Sequence, residues 1–160
     1  MSGAGSNAAG SNAAGSAASV YFDTSALAKW YVNEAGSEEV EQYLREVCPV
    51  SISLLTKVEM RSLMARRRRQ GHFDAVTQGK ILATFEGDIV TGHLALVPHT
   101  LESFLMAESF LGAHPAVPLT TLDALHLGVM SSSGIAVLAT ADRVMARAAS
   151  ALGMECRLFV

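Results

Sequence analysis

Short apolar runs alternate with longer helical patterns along the chain, and this alternation constrains the fold more than any other feature. The segments between the runs repeat apolar residues at helical spacing and end at glycine or proline, which stop helices. Strands that alternate with helices form a parallel sheet covered on both faces. We therefore predict an α/β fold, a three-layer α/β/α sandwich around a mainly parallel sheet of about five short strands. The predicted strands are Val20–Phe22, Val50–Ser53, Leu94–Val97, Ile135–Ala139 and Glu155–Phe159.

The first 19 residues differ in composition from the rest of the chain. Residues 1–19 contain GSNAA twice and then GSAA, and they carry no charged side chain. Such a stretch buries too little apolar surface to offset its ordering entropy, so we predict a flexible linker or tag. Residues 20–160 have the length of one compact domain with its own core. We predict a single domain there.

The overall composition excludes several classes of protein. The formal net charge is −3, which argues against a domain that binds nucleic acid by bulk charge alone. The two cysteines, Cys48 and Cys156, cannot form a disulfide framework, and a reduced, cytoplasmic setting is expected. No run approaches the roughly 18 apolar residues of a membrane span, and we expect no signal peptide.

Four acidic residues occupy positions that suggest a shared site. Asp23 follows the first predicted strand, and Asp142 comes just after the fourth. Ligands of an open parallel sheet bind beyond the carboxyl ends of its strands. Glu59 lies in mid-helix on an apolar stripe, and Asp123 lies in the apolar setting of LDALHL. An unpaired carboxylate turned toward a core is costly, so each of these acids needs a partner.

Each acid also has an explanation that requires no ligand. Asp142 could cap the helix that follows it, and Asp123 could form a capping box with Thr120. Asp23 could cap the first helix. Glu59 could pair with a cation at the surface, although its mid-helix position gives it no capping role.

The four acids together favour a cation site over separate structural roles. Carboxylates that converge at one sheet edge repel one another and raise one another's pKa unless a cation neutralises them. Oxygen ligands without histidine or cysteine suit Mg²⁺ or Mn²⁺. Such a site orients a phosphodiester and activates a water molecule as the nucleophile.

The four acids stand in four blocks of sequence that span most of the predicted domain. The blocks are Val20–Leu27 (VYFDTSAL), Thr56–Arg61 (TKVEMR), Leu122–Gly128 (LDALHLG) and Leu138–Arg143 (LATADR). In this order they resemble the acidic blocks of the PIN-domain nucleases. The third block resembles the D-A-x-H-L-A block of VapC-type toxins, and the fourth resembles their T-x-D block.

The resemblance implies a metal-dependent endoribonuclease that is the toxin of a toxin–antitoxin pair. It places the catalytic carboxylates around Mg²⁺ or Mn²⁺, and it gives Ser25 and Thr140 a supporting role at the metal site. It also implies an RNA substrate, a homodimer and a small antitoxin whose C-terminal segment lies in the acidic groove. The carboxylates so implicated are Asp23, Glu59, Asp123 and Asp142.

The third block departs from the family pattern in two places. Leu119–Thr121 stands where an arginine is frequent, which weakens any substrate contact assigned there. Gly128 replaces the usual alanine, and we expect this change to be minor. Within the block, His126 is flanked by leucines, and we predict a buried histidine with a satisfied hydrogen bond rather than a metal ligand.

The run Arg66, Arg67, Arg68 and Arg69 is the strongest basic feature of the chain. Consecutive helical residues point about 100° apart, so the four side chains cannot share one face. Cations at a helix C-terminus are favourable, which explains some of them. We predict that the run also contacts RNA phosphates beside the acidic site.

Two alternatives to the nuclease remain at this point. The main one is a PIN-like binding module without catalysis, whose acidic groove docks a protein partner. The other is a phosphohydrolase of the aspartyl-phosphate type, which also carries an acid after its first strand. That chemistry usually has a second aspartate two positions on, where this chain has Ser25.

Overall fold

The computed structural model describes residues 20–160, and the linker predicted at residues 1–19 lies outside them. The described part contains one five-stranded sheet in the order β3-β2-β1-β4-β5, and every neighbouring pair is parallel. The strands are β1 (Val20–Phe22), β2 (Val50–Ser53), β3 (Leu94–Val97), β4 (Val137–Thr140) and β5 (Glu155–Leu158). The predicted three-layer sandwich with a parallel sheet is confirmed.

Seven helices in the described part connect the strands and cover the two faces of the sheet. They are α1 (Thr24–Tyr31), α2 (Ser37–Val47), α3 (Leu54–Arg69), α4 (Ala75–Val90), α5 (Leu101–Ala113), α6 (Thr121–Ser132) and α7 (Arg143–Ala151). Within residues 20–160, none of these helices has both the length and the apolar character needed to span a bilayer.

The core consists of two clusters, one on each face of the sheet. Phe22 and Ile52 point to one face, where side chains of α1, α2, α3 and α4 pack against them. Tyr21 and Leu138 point to the other face, where α6 and α7 cover them. The side chains of a strand alternate between faces, so the short strand β1 supplies both clusters.

Strand β1 lies at the centre of the sheet, between β2 and β4. Tyr21 is aligned with Ser51 on one side and with Leu138 on the other. The backbone N–H of Asp23 donates to the carbonyl of Ala139 at 3.1 Å, so the pairing continues one residue beyond the strand. Asp23 therefore emerges at the middle of the carboxyl edge.

Helix starts differ in detail from the sequence patterns. Ser37 suggests an N-cap, but α2 begins at Ser37 itself, and Gly36 takes the cap position with φ +82°. The hydroxyl of Ser37 instead accepts from the backbone N–H of Glu34 at 3.0 Å. The sequence from Phe73 onward also predicts a helix, but helix α4 begins two residues later, because Asp74 caps it by accepting from Thr77 N at 2.8 Å.

Gly128 of α6 packs directly against the backbone of α5. A Cβ atom at this position would stand 2.2 Å from the carbonyl oxygen of Ser103, and 3.1 Å from the backbone nitrogen of Ala107. Real Cβ contacts are not this short, so the two backbones meet only because residue 128 has no side chain. The expectation that glycine is a minor change here is therefore wrong for this chain.

Candidate active site

A cleft of about 500 Å³ opens at the carboxyl edge of the sheet, beyond β1 and β4. It lies where parallel α/β sheets bind their ligands. The side chains that line it come from four different segments of the chain. They include all four predicted acids, Asp23, Glu59, Asp123 and Asp142, together with Ser25, Lys29, Glu34, Arg66, Arg67 and His126.

Asp23 forms the buried floor of the cleft, with only 4% of its surface exposed. Its carboxylate accepts from Ser25 Oγ at 2.9 and 2.8 Å, from Ala26 N at 2.9 Å and from Thr140 Oγ1 at 2.8 Å. Burial raises the pKa of Asp23, and the charge of His126 together with these donors only partly offsets it. Ser25 and Thr140, predicted as support residues, both contact Asp23.

Glu59 of α3 reaches the cleft from the other side. Its Oε2 atom accepts from Thr24 Oγ1 at 2.5 Å and lies 2.7 Å from His126 Nε2. Burial alone would raise the pKa of Glu59, but the hydrogen bond and charge of His126, with the Thr24 hydroxyl, lower it. Glu59 is therefore held as a carboxylate at neutral pH.

His126 connects Glu59 to the centre of the sheet. Its Nδ1 atom lies 2.7 Å from the hydroxyl of Tyr21, which in turn donates to Ser53 Oγ at 2.9 Å. Tyr21 and His126 are 0% and 2% exposed. The prediction of a buried, hydrogen-bonded histidine is confirmed, but the sequence reasoning missed its contact with Glu59. Its position three residues after Asp123, on the same helix face, was the available signal.

Asp123 and Asp142 line the cleft and also take part in capping α6 and α7. Asp123 Oδ2 accepts from Thr120 N at 3.1 Å and from Thr120 Oγ1 at 2.7 Å. Asp142 Oδ1 accepts from the backbone N–H groups of Val144 and Met145 at 2.6 and 3.0 Å. The capping explanations are therefore correct for both residues, and they do not compete with a role in the cleft.

The free oxygens of these acids test whether the site fits a divalent cation. Within residues 20–160, Glu59, Asp123 and Asp142 each accept hydrogen bonds through one carboxylate oxygen, which leaves the second oxygen available. Oxygen donors of this kind suit a hard cation such as Mg²⁺ or Mn²⁺. The residues thus fit the ion by donor chemistry.

The spacing of the acids is looser than that of a formed metal centre. Among the residues that the structure describes, no three His, Cys, Asp or Glu side chains are grouped closely enough to hold an ion. The capping bonds of Asp123 and Asp142 direct one oxygen of each toward its own helix. The four acids therefore share a cleft without forming a ligand cage.

The basic run of α3 divides between the cleft and the outer surface. Arg66 and Arg67 follow Glu59 by two helical turns and line the cleft, whereas Arg68 and Arg69 are exposed away from it. Arg67 forms an ion pair with Glu34 at 2.5 Å. For Arg66, the described part of the chain provides no ion-pair partner. RNA contact by any of the four arginines stays a prediction.

Comparisons with known proteins point to one family. A family model described as PIN domain matches residues 20–151. Ribonuclease VapC46 of Mycobacterium tuberculosis is 30% identical over 148 residues, which cover 86% of this chain and 95% of that protein.

Two solved structures have a similar fold. VapC20 of Mycobacterium tuberculosis, described as a toxin that cleaves the sarcin–ricin loop, matches with a TM-score of 0.65 at 21% identity, over 85% of this chain and 96% of its own. FitAcB from Neisseria gonorrhoeae matches with a TM-score of 0.66 at 14% identity, over 86% of this chain and 95% of its own.

Proposed function

This chain belongs to the PIN domain family, and on that basis we propose that it is a divalent-metal-dependent endoribonuclease, the toxin of a toxin–antitoxin pair. One observation carries the proposal: acids from four separate blocks of sequence line a single cleft at the carboxyl edge of the sheet. The name of the relative VapC46, a ribonuclease, supports RNA as the substrate.

Asp23, Glu59, Asp123 and Asp142 are the residues that would hold Mg²⁺ or Mn²⁺. When bound, the ion lowers the pKa of a water ligand and stabilises the charge that develops on the phosphate. Glu59 keeps its charge through His126, and Asp23 is oriented by Ser25 and Thr140. The attacking group is water, so no side chain becomes covalently attached to RNA.

The electrostatics of Asp23 support a cation in the cleft. Its carboxylate is buried, and its pKa is raised despite several hydrogen-bond donors. A bound cation favours the ionised form of a neighbouring acid and removes this cost. Arg66 to Arg69 would offset the repulsion between the acidic cleft and RNA by contacting the phosphate backbone.

Two protein partners complete the proposal. The exposed apolar residues of α5 support a homodimer, since Leu101, Phe104 and Leu105 are 77%, 52% and 56% exposed. A small antitoxin would occupy the cleft with its C-terminal segment and block the acids. The thiols of Cys48 and Cys156 are unpaired, which agrees with a reduced, cytoplasmic setting.

A catalytically silent module that docks a protein partner in the same cleft is the second candidate function. The capping bonds of Asp123 and Asp142 favour it, since they explain both acids without an ion. Calorimetry with Mn²⁺ separates the two functions. Heat of binding that is absent throughout the millimolar range would support docking, and saturable binding would support the nuclease.

The decisive experiment compares purified Asp23→Asn with the parent in an RNA cleavage assay with excess Mn²⁺. The substitution removes one charge from the cleft at nearly constant volume, and we expect cleavage to be abolished. Asp74→Asn is the matched control, because Asp74 caps α4 outside the cleft and asparagine caps helices equally well. Parental cleavage by Asp23→Asn would contradict the proposal. A map of new RNA 5′ ends after induction would identify the target.

A further inference from the structure

A second depression lies beside the cleft, between α7 and the edge strand β5. This groove has a volume of about 720 Å³. The α7 residues that line it are spaced i, i+3, i+4 and i+7 and therefore share one helix face, while the β5 residues are two apart and share one sheet face. The lining residues are Arg143, Ala146, Arg147, Ser150, Cys156 and Leu158.

All charged side chains that line the groove are positive. Arg143 and Arg147 are both exposed, and within residues 20–160 neither forms an ion pair. Glu155, the acidic residue of β5, lies on the same face of the strand as Arg157, opposite to the face that lines the groove. The guanidinium of Arg157 lies over the ring of Tyr43 on that other face. The groove is therefore an uncompensated basic surface.

Helix stability does not explain the position of Arg143. It is the first residue of α7, and a cation at a helix N-terminus opposes the macrodipole. The arginines of α3 differ in this respect, because they stand in the last turn, where the macrodipole favours them. A residue that works against local stability is typical of a functional surface.

The groove and the acidic cleft meet at the start of α7. Asp142 lines the cleft, and the next residue, Arg143, lines the groove. Arg66 and Arg67 stand on the opposite side of the cleft, on the helix that follows β2. Because β1 and β4 lie between β2 and β5 in the sheet, basic side chains flank the four acids on both sides.

We propose that this groove binds the RNA backbone on one side of the cleaved bond. Arg143 and Arg147 contact successive phosphates, and Leu158, which is 36% exposed, provides apolar surface for a ribose or a base. The proposal rests on the nuclease function and deepens it, since it assigns a path to the substrate beyond the cleft.

The test measures RNA binding in a protein that cannot cleave. Asp23→Asn in EDTA is titrated against a fluorescein-labelled, mixed-sequence single-stranded RNA, and binding is followed by anisotropy at several salt concentrations. Adding Arg143→Gln and Arg147→Gln should weaken binding about tenfold and lower the salt slope by about 1.4, or about 0.7 for each phosphate that is no longer neutralised. Arg157→Gln is the control matched to each single groove variant, because it likewise removes one positive charge, but from the other face of β5.

Each outcome decides the proposal. A reduction of affinity and slope in Arg143→Gln and in Arg147→Gln, each compared singly with Arg157→Gln and exceeding it, supports the proposal, whereas equal effects in the single groove variants and the control overturn it. Melting temperatures verify folding, and the two single variants, each with half the slope change, replace the double variant if it melts early. Cleavage by the parent is scored separately. A parent that binds RNA through the groove but does not cut it would refute the nuclease function while still supporting RNA binding by the groove.

Discussion

The Nε2 atom of His126 lies 2.7 Å from Oε2 of Glu59, so a buried residue of α6 holds a carboxylate of α3 at the cleft. The same oxygen accepts from Thr24, which fixes the carboxyl group in one orientation. The other oxygen of Glu59 is thereby left available to a ligand. His126 acts in this arrangement as a positioning residue.

Replacing His126 by glutamine or by asparagine should separate its contact with Glu59 from its contact with Tyr21. Glutamine can place a donor near the Nε2 position and keep the contact with Glu59. Asparagine is shorter and can keep only the contact with Tyr21. Loss of a partner that orients a metal ligand costs roughly 10- to 100-fold in metal affinity. We expect Mn²⁺ affinity, measured by calorimetry, to fall in that range for His126→Asn and to fall less for His126→Gln. Parental affinity in His126→Asn would contradict the positioning role.

Asp142 should show separable contributions to helix capping and to metal binding. Asparagine caps helices as well as aspartate, so Asp142→Asn should unfold within about 0.5 kcal/mol of the parent. Asp142→Ala loses the cap and should cost about 1 kcal/mol. Both variants should lose Mn²⁺ affinity, because both remove the charge. Denaturant unfolding and calorimetry on the same samples check both expectations. Parental Mn²⁺ binding by Asp142→Asn would show that Asp142 caps α7 without contributing to metal binding.

Gly128→Ala should be strongly destabilising. The added methyl group would stand 2.2 Å from the Ser103 carbonyl oxygen, so the backbones of α5 and α6 must separate. Overpacking of this kind costs about 1–3 kcal/mol in the free energy of unfolding. Gly87→Ala in α4 is the control, because its Cβ meets nothing within 4 Å and alanine favours a helix by about 0.5–1 kcal/mol. Thermal or denaturant unfolding should therefore move in opposite directions for the two variants.

On acidification, Mn²⁺ binding should begin to weaken at a pH higher than the usual pKa of an aspartate. Burial raises the pKa of Asp23, so a proton competes with the cation at a higher pH than the ordinary 3.8. The pKa of Glu59 is lowered, so this residue stays ionised over the same range. The gain in melting temperature on adding Mn²⁺ should be smaller at about pH 5 than at about pH 7.5. Asp23→Asn should lose this difference, and a parent whose gain is unchanged would refute the assignment.

Without metal, the contribution of Asp23 to the free energy of unfolding should decrease, rather than increase, as the pH rises. The folded state holds the Asp23 proton more tightly than the unfolded chain, so this residue contributes most below its unfolded pKa and loses that contribution as the pH rises through the raised value. Glu59 acts oppositely, since its contribution is lost as the pH falls through its lowered pKa. Urea unfolding of Asp23→Asn and the parent in EDTA, across the acidic range, isolates the first effect.

The sequence predicted the sheet and the position of Asp23 and Asp142 at its carboxyl edge, because both follow from chain direction and periodicity. Parallel strands present their carboxyl ends at one edge of the sheet, so an acid after β1 and another after β4 must lie at the same edge. The contact between His126 and Glu59 depends on how two helices pack, which no local pattern encodes. The lack of room for a side chain at residue 128 likewise depends on how α5 packs against α6.

The hydroxyl of Ser25 donates to Asp23 and accepts from the backbone N–H of Ala141 at 2.8 Å, while Thr140 joins Asp23 to the backbone of Asp142. These bonds fasten the turn after β1 to the turn after β4. We therefore expect Asp23 and Asp142 to keep their relative positions when an RNA strand or an inhibitor enters the cleft.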